Sequence, residues 1–194
     1  MSIEVYLNKG FLPKTVCLLL SGKAGVGKTY SANVIQSYLS GLGYKVTRES
    51  FATGVKQVAT YMGWDGKKDD KGRVLLQDIG KIGRKYDKDI WVRSTFGRLE
   101  QAVGFPFDVV IIDDCRFINE VSFVRDNEVL YNTIVVRLQS SEREILKGTP
   151  AYYDESETEL DKYMFDYIIH NIEDGEDAIL RYFKPILEEH GLIP

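Results

Sequence analysis

The sequence predicts an α/β fold in three layers, with a parallel central sheet of about five strands and helices on both faces. Strand-like and helix-like segments alternate along the 194 residues, as they do in proteins built from βαβ units. Two strand-like segments, Val109–Ile112 and Ile134–Val136, are continuous apolar runs, which is typical of strands covered on both faces. A glycine-rich turn between the first predicted strand and the first predicted helix is the third indication.

Apolar runs and helical periodicity place the individual elements. Five strands are predicted, at Val16–Ser21, Lys45–Ser50, Phe107–Asp113, Thr133–Leu138 and Tyr167–His170. The first helix is predicted at Tyr30–Leu42, after the glycine turn. The last helix is predicted at Gly175–His190, and its apolar side is expected to pack on the core.

Two stretches interrupt the simple alternation of strands and helices. The stretch from Gly54 to Gly104 is too long for one crossover helix, so we predict three helices there, at about Val55–Met62, Gly72–Tyr86 and Ile90–Val103. The stretch from Gln139 to Asp161 mixes charges, a proline and tyrosines, and is expected to form a lid. We therefore expect one domain over residues 1–194, with a helical insertion at about 54–104 and a lid-like segment at about 139–161.

The glycine turn fits the P-loop pattern G-x-x-x-x-G-K-[ST]. Its glycines let backbone N–H groups surround phosphate oxygens, and the following helix N-terminus adds positive potential. A lysine in this position reaches the β- and γ-phosphates of a bound nucleotide, and the adjacent hydroxyl binds Mg²⁺. The sequence therefore predicts a fold of the P-loop NTPase type and a site for ATP and Mg²⁺ formed by Gly22, Lys23, Ala24, Gly25, Val26, Gly27, Lys28 and Thr29.

Composition excludes several other classes of protein. A net charge of −4 argues against broad binding to nucleic acid or to a membrane surface. No apolar run reaches the roughly 18 residues that a membrane span needs, and the segment Met1–Leu7 lacks the features of a signal peptide. Cys17 and Cys115 are expected to be reduced and buried, which favours a cytoplasmic protein, in the host cytoplasm if the gene belongs to a phage.

Acidic residues end the third predicted strand, which reads Phe107-Asp-Val-Val-Ile-Ile-Asp113-Asp114. The carboxyl ends of parallel strands meet at one edge of a sheet, so a carboxylate here can orient the Mg²⁺ of a nucleotide bound to the P-loop. Side chains alternate along a strand, so the sequence leaves open which of the two aspartates faces the metal. Arg116 follows at once, and it either clamps a phosphate or forms a structural pair with an aspartate.

The order of several short motifs behind the P-loop resembles the bacteriophage-type deoxynucleoside monophosphate kinases, from Val16 to about Leu180. The similar segments are Phe51-Ala-Thr-Gly-Val-Lys56, Gly72-Arg73-Val-Leu-Leu-Gln77-Asp-Ile-Gly80, Asp89-Ile-Trp91-Val, Asp114-Cys-Arg116-Phe-Ile-Asn-Glu120, Ser156-Glu157 and Asp166-Tyr-Ile-Ile-His-Asn171. This chain departs from the family pattern at Asp154-Glu155, where members often have a histidine, and at Ile118, where proline is frequent. These departures make the preferred base the property that transfers least.

The resemblance implies roles for individual residues. It assigns acceptor binding to Lys56, Arg73, Gln77, Gly80, Trp91, Asp114, Arg116 and Glu120. It implies that Arg137, at the start of the lid, contacts ATP. Thr29 and Asp114 would bind the metal, and Lys28, Arg73 and Arg116 would act in catalysis. Arg143 and Lys147 are four residues apart on a predicted helix. Two interpretations stay open: both side chains face the site, or both are solvated surface charges.

These observations favour transfer of the γ-phosphoryl group of ATP to a (deoxy)nucleoside monophosphate, with Mg²⁺ as cofactor. Two alternatives stay open: a P-loop kinase of another small molecule, such as dephospho-coenzyme A, and an ATP-dependent switch protein that is not a kinase. The only Asn-Lys pair is Asn8-Lys9, upstream of the P-loop, which counts against a GTPase. Nothing in the sequence marks an interface, so a homodimer is also left open.

Overall fold

The central sheet has five parallel strands in the order β2-β3-β1-β4-β5 in the computed structural model, which describes residues 14–140, 142–143 and 145–194. The strands are β1 (Thr15–Ser21), β2 (Val46–Glu49), β3 (Val109–Cys115), β4 (Tyr131–Gln139) and β5 (Tyr167–His170). All five predicted strands are confirmed, with β4 longer than expected. The interpretation of Met1–Leu7 concerns residues outside the described ones.

The principal helices also agree with the sequence prediction. They are α1 (Lys28–Gly41), α2 (Ala52–Tyr61), α3 (Asp70–Tyr86), α4 (Ile90–Gln101), α5 (Ile118–Asp126), the short α6 (Glu155–Thr158) and α7 (Glu176–Glu189). The three helices expected between Gly54 and Gly104 are α2, α3 and α4. Helices α5 and α6, and the two short 3₁₀ helices at Pro150–Tyr153 and Glu159–Lys162, were not predicted.

Alternate residues of the strands build a separate core on each face of the sheet. On one face, Leu18 and Ile111 pack with apolar residues of α1 and α7, including the fully buried Phe183. On the other face, Leu19 and Ile112 pack with residues of α4 and α5. Both faces are covered, so the strands are apolar throughout, and the predicted three-layer α/β fold of the P-loop type is confirmed.

The helical insertion has a small apolar cluster of its own. Val55 and Ala59 of α2 pack with Ile79 of α3, and Trp91 of α4 lies against them. Asp69 caps α3 by accepting a hydrogen bond from the N–H of Gly72 at 2.9 Å. These contacts hold α2, α3 and α4 together beside the carboxyl ends of the strands.

The part of the chain that the structure describes contains no helix that is both long enough and apolar enough to cross a bilayer. Cys17 and Cys115 are buried and free, as the sequence predicts.

Candidate active site

Glycines give the P-loop its shape. Gly25 and Gly27 have φ values of +89° and +103°, in the region that side chains rarely adopt. A Cβ at Gly22 would lie 2.6 Å from the carbonyl oxygen of Leu138, so β4 passes too close for any larger residue. Gly27 is the N-cap of α1 and provides no side-chain cap, which leaves the N–H groups of the first turn without a capping partner.

Lys28 is buried and folds back onto its own loop. Its Nζ donates hydrogen bonds to the carbonyl oxygens of Gly22 at 2.7 Å and Lys23 at 2.8 Å. Burial lowers the pKa of Lys28 to about 7, and the nearby positive charge of Arg116 lowers it further. A phosphate beside this nitrogen would favour its charged form.

A cavity of about 710 Å³ opens between the P-loop and the helical insertion. Lys28 and Thr29 line one side of it. Every residue predicted to bind the acceptor lines the cavity as well: Lys56, Arg73, Gln77, Gly80, Trp91, Asp114, Arg116 and Glu120. A separate cavity of about 800 Å³ contacts Lys14, Tyr131 and His190 and includes no P-loop residue. The cavity beside Lys28 is therefore the candidate active site, and the role of each lining residue stays a prediction.

Both aspartates at the end of β3 line this cavity. From the Leu19–Ile112 pair to the Ser21–Cys115 pair, β1 advances two residues and β3 advances three, so β3 contains an extra residue. Such a bulge interrupts the alternation of side chains. Asp113 and Asp114 therefore both reach the cavity edge, and the choice of Asp114 as the metal ligand stays a prediction.

The two aspartates have different partners. Asp113 is buried and forms an ion pair with Arg48 of β2, with 2.8 Å between Oδ2 and the guanidinium nitrogen. Asp114 accepts hydrogen bonds from the backbone N–H groups of Phe51 at 2.8 Å and Ala52 at 3.0 Å, and from the hydroxyl of Ser50. Asp114, the predicted metal ligand, thus holds the start of α2 in this structure, whereas Oδ1 of Asp113 has no partner among the described residues.

The residues present fit a Mg²⁺ ion that arrives with nucleotide phosphates. Among residues 14–140, 142–143 and 145–194, no three His, Cys, Asp or Glu side chains are grouped as a metal site. Mg²⁺ commonly takes only one or two protein ligands and completes its shell with phosphates and water. The exposed hydroxyl of Thr29 and the carboxylates of Asp113 and Asp114, all on the cavity wall, satisfy that requirement.

Glu120 is buried at the start of α5. Its Oε2 accepts hydrogen bonds from the backbone N–H groups of Arg116 at 2.6 Å and Phe117 at 3.0 Å. Burial raises the pKa of Glu120 to about 8, and the carboxylate of Asp114 raises it further. Glu120 therefore shapes the turn after β3, in addition to any contact with an acceptor.

Three cations lie on the insertion side of the cavity. Lys56 of α2, Arg73 of α3 and Lys68 of the loop between them make no ion pair within the described residues, although each lines the cavity. Partial burial lowers the pKa of Lys68, and the like charges of Lys56 and Arg73 lower it further. Lys68 was not predicted as a site residue, because a lysine in a polar loop is ordinarily solvated.

Trp91 is held by the helices around it. Its indole N–H donates to the carbonyl oxygen of Gly80 at 3.0 Å, and a Cβ at Gly83 would lie 2.4 Å from its ring. The ring therefore packs against glycine backbone and presents only part of its surface to the cavity. Arg84, a cation of the insertion to which the sequence assigns no specific role, lines the cavity with its guanidinium 3.8 Å from the ring centre of Phe117.

Arg116 is paired with Glu157 of α6, not with an aspartate of the site. Its guanidinium contacts the carboxylate of Glu157 and donates to the carbonyl oxygen of Ser156 at 2.7 Å. Glu157 also accepts a hydrogen bond from the backbone N–H of Ala24 in the P-loop at 2.9 Å. The resemblance included Glu157 in a short motif without a role, and no local pattern indicates these partners.

Arg137 does not line the main cavity. Its buried guanidinium donates to the hydroxyl of Ser21 at 3.0 Å and pairs with Asp161 at 2.8 Å. It lines a smaller cavity of about 420 Å³, together with Lys23 and Val26 of the P-loop. The predicted contact of Arg137 with ATP would therefore involve this smaller cavity.

The prediction of a helix that carries Arg143 and Lys147 is wrong for the described part of this segment. Residues 145–148 form turns instead. Arg143 pairs with the exposed Asp174 at 2.8 Å, and Lys147 is exposed. The same segment crosses the P-loop. The N–H of Ile145 is 3.4 Å from the carbonyl oxygen of Ala24, and a Cβ at Gly25 would lie 2.5 Å from the carbonyl oxygen of Arg143.

Two curated relatives share sequence with most of this chain. Both are uncharacterized proteins of Ictalurid herpesvirus 1 (strain Auburn). ORF77 is 28% identical over 150 residues, which is 77% of this chain and 61% of that protein. ORF76 is 24% identical over 148 residues, which is 75% of this chain and 56% of that protein. The chain thus spans about 60% of the length of the relatives it matches. No protein-family model matches the sequence.

Solved structures with a similar fold include three kinases. They are the APS kinase CysC of Mycobacterium tuberculosis in complex with AMPPNP and APS, the thymidylate kinase of Ehrlichia chaffeensis, and the shikimate kinase of Acinetobacter baumannii in complex with shikimate. Their identities are 12%, 14% and 12% and their TM-scores 0.48, 0.47 and 0.47. The matches cover 91%, 91% and 90% of this chain and 99%, 100% and 94% of those chains. Likeness at this level says nothing about the substrate of this protein.

Proposed function

We propose that this protein is an ATP-dependent kinase that transfers the γ-phosphoryl group of ATP to a (deoxy)nucleoside monophosphate, giving the diphosphate. One observation carries the proposal: a single cavity has the P-loop on one side and, on the other, Lys56, Lys68 and Arg73, which form no ion pair with any residue that the structure describes. The P-loop suits the triphosphate of a donor. The cation group suits a second phosphate, because cations without carboxylate partners favour binding of an anion.

Phosphoryl transfer between these substrates requires mainly that the protein positions them and neutralises their charge. The attacking atom is a phosphate oxygen of the acceptor, which is already ionised at neutral pH, so no strong general base is required. Its lone pair forms the new bond to the γ-phosphorus while the bond to the bridging oxygen of ADP breaks. Lys28 would neutralise charge on the donor, and Lys56 and Arg73 would hold the acceptor against repulsion between the two phosphates.

A bound Mg²⁺ would supply charge neutralisation between the β- and γ-phosphate oxygens, with Thr29 and an aspartate of β3 as its protein ligands. The lid excludes water, because Ile145 and Leu146 line the cavity wall next to the P-loop. Exclusion of water matters in a kinase, since water would otherwise take the phosphoryl group. We also propose that the protein acts in the cytoplasm on small-molecule nucleotides.

A coupled ADP-release assay tests the proposal. The acceptors are the common ribo- and deoxyribonucleoside monophosphates, with dephospho-coenzyme A and a reaction without acceptor for comparison. We expect ADP release to depend on one or more of the monophosphates. Release that is equal with and without every acceptor would instead indicate an ATP-dependent switch, and a response to dephospho-coenzyme A alone would indicate the other kinase class.

Removing one cation of the acceptor group gives a sharper test. Arg73→Ala should raise the acceptor KM or lower kcat, by about tenfold or more, because a charge-assisted hydrogen bond contributes about 1.5–3 kcal/mol. The affinity for ATP should change little. Arg93→Ala is the matched control, because Arg93 also belongs to the insertion but pairs with Asp87 and does not line the cavity. Weakened ATP binding with an unchanged acceptor KM would contradict the assignment of Arg73 to the acceptor site.

A further inference from the structure

We propose that the carboxylate of Glu157 is an internal anion that occupies the P-loop and holds Arg116 until donor phosphates displace it. The inference rests on the donor site of the proposed function and concerns its regulation. Glu157 belongs to residues 154–161, called here the bridge segment, and it lies 133 residues after Ala24 of the P-loop in the sequence.

The carboxylate of Glu157 already makes the contacts that a phosphate oxygen would make. It accepts a hydrogen bond from the N–H of Ala24, one of the backbone groups that the P-loop pattern assigns to phosphate. It also contacts the guanidinium of Arg116, a cation on the cavity wall. Its side chain is only 4% exposed, so these contacts replace its hydration. A buried carboxylate on a phosphate-binding amide competes directly with a phosphate.

The bridge segment is fastened to the P-loop at a second point. Lys23 donates to the backbone carbonyl oxygen of Glu157 and pairs with Asp161 at 2.7 Å. Among the residues that the structure describes, Lys28 donates only to carbonyl oxygens of its own loop. In the free protein, Glu157 is therefore the anion bound to the P-loop, and the hydrogen bonds of Lys28 are made within the loop itself. Donor phosphates would take the Ala24 amide and attract Lys28, and Arg116 would then be free to turn into the cavity.

The decisive variant is Glu157→Gln, which keeps the size of the side chain and removes its charge. We expect tripolyphosphate and ADP to bind about tenfold more tightly than to the wild type, because binding no longer has to displace a charge-assisted hydrogen bond. Adenosine, which has no phosphate, should bind with unchanged affinity. Isothermal titration calorimetry measures all three dissociation constants.

Glu159→Gln is the matched control. Glu159 lies in the same bridge segment and accepts a hydrogen bond from the N–H of Ile118 at 2.8 Å, but it does not contact the P-loop. If Glu159→Gln tightens binding as much as Glu157→Gln, general loosening of the segment explains the effect and the inference fails. Equal affinities of wild type and Glu157→Gln also overturn it. If neither protein binds ADP or tripolyphosphate, the proposed function itself fails.

Hydrogen–deuterium exchange of the wild type tests the inference without any variant. Addition of tripolyphosphate should increase exchange in residues 154–161, because displacement of the Glu157 carboxylate breaks its contacts with Ala24 and Arg116. Unchanged or reduced exchange in this segment, at a concentration that protects residues 22–29, would contradict displacement.

Discussion

The Glu120→Gln substitution should change how the stability of the protein depends on pH. The unfolded chain loses the proton of Glu120 near its ordinary pKa of 4.5, whereas the folded protein keeps it until about pH 8, because the carboxyl group is buried beside Asp114. Between these values the folded state binds more protons than the unfolded state, so its stability falls as pH rises. Each pH unit within the window lowers the free energy of unfolding by on the order of 1 kcal/mol.

Glutamine removes this dependence while preserving the local structure. Its amide oxygen can accept the same two hydrogen bonds from the N–H groups of Arg116 and Phe117, and glutamine serves at this helix position as well as glutamate does. The variant should match the wild type near pH 5 and be more stable by on the order of 2 kcal/mol at pH 7.

Urea unfolding of both proteins at half-unit steps from pH 5 to 7 measures the difference. Lys28 changes charge near the upper end of this range in both folded proteins, so its contribution cancels from the difference between them. Glu128→Gln provides the control, because Glu128 is exposed and the same change of charge there should leave a constant difference from the wild type. If the difference between Glu120→Gln and wild type does not vary with pH, Glu120 ionises normally in the folded state and the reasoning from its burial is wrong.

Two further substitutions test the P-loop. In the wild type, the low pKa of Lys28 adds a contribution to stability that rises between about pH 7 and 10.5, since there only the unfolded chain keeps the proton. Lys28→Met should lose this contribution relative to the wild type in urea unfolding, and its kcat should be lower by about 10²–10³. Gly25→Ala forces a side chain into a positive-φ position, which costs about 1–2 kcal/mol, and brings a methyl group against Arg143. ADP should therefore bind about tenfold more weakly, measured by calorimetry, whereas Gly97→Ala, at a helical site with open space, should leave binding unchanged.

The features that sequence predicts well are those that depend on neighbouring residues. The apolar runs of β1, β3 and β4 indicate buried strands directly, because few other environments accept such runs. The P-loop is equally local, since its glycines, its lysine and the start of α1 lie within eight residues. The insertion was also predicted, because its length required several helices and its polar loop separated the first two.

The partners of the charged groups could not be predicted in this way. Asp114 accepts hydrogen bonds from the start of α2, Arg137 pairs with Asp161, and Arg116 pairs with Glu157. The sequence contains 29 acidic and 25 basic residues, so composition allows many alternative pairs. Only the three-dimensional arrangement selects among them, because an ion pair depends on distance and burial and leaves no periodic signal.

The bulge in β3 illustrates the same limit at the level of a single strand. Alternation along an ideal strand would turn Asp113 and Asp114 to opposite faces, and only the register with β1 reveals the extra residue. The short helix α5 was missed for a related reason. Its N-cap is Phe117, which has no side-chain acceptor, so the usual serine, threonine or aspartate signal is absent, and the glutamate three residues later is the only local indication.

The bridge segment connects the two sides of the cavity, and its contacts differ greatly in strength. Lys81 of α3 pairs with Asp154 at 2.6 Å, but its side chain is 46% exposed, so this pair contributes less than about 1 kcal/mol. The contacts of Glu157 with Ala24 and Arg116 are buried, and breaking them costs more. Displacement of Glu157 therefore removes the stronger of these two attachments. Release of Arg116 by the donor would then favour binding of the acceptor, and by reciprocity a bound acceptor that engages Arg116 would favour the donor.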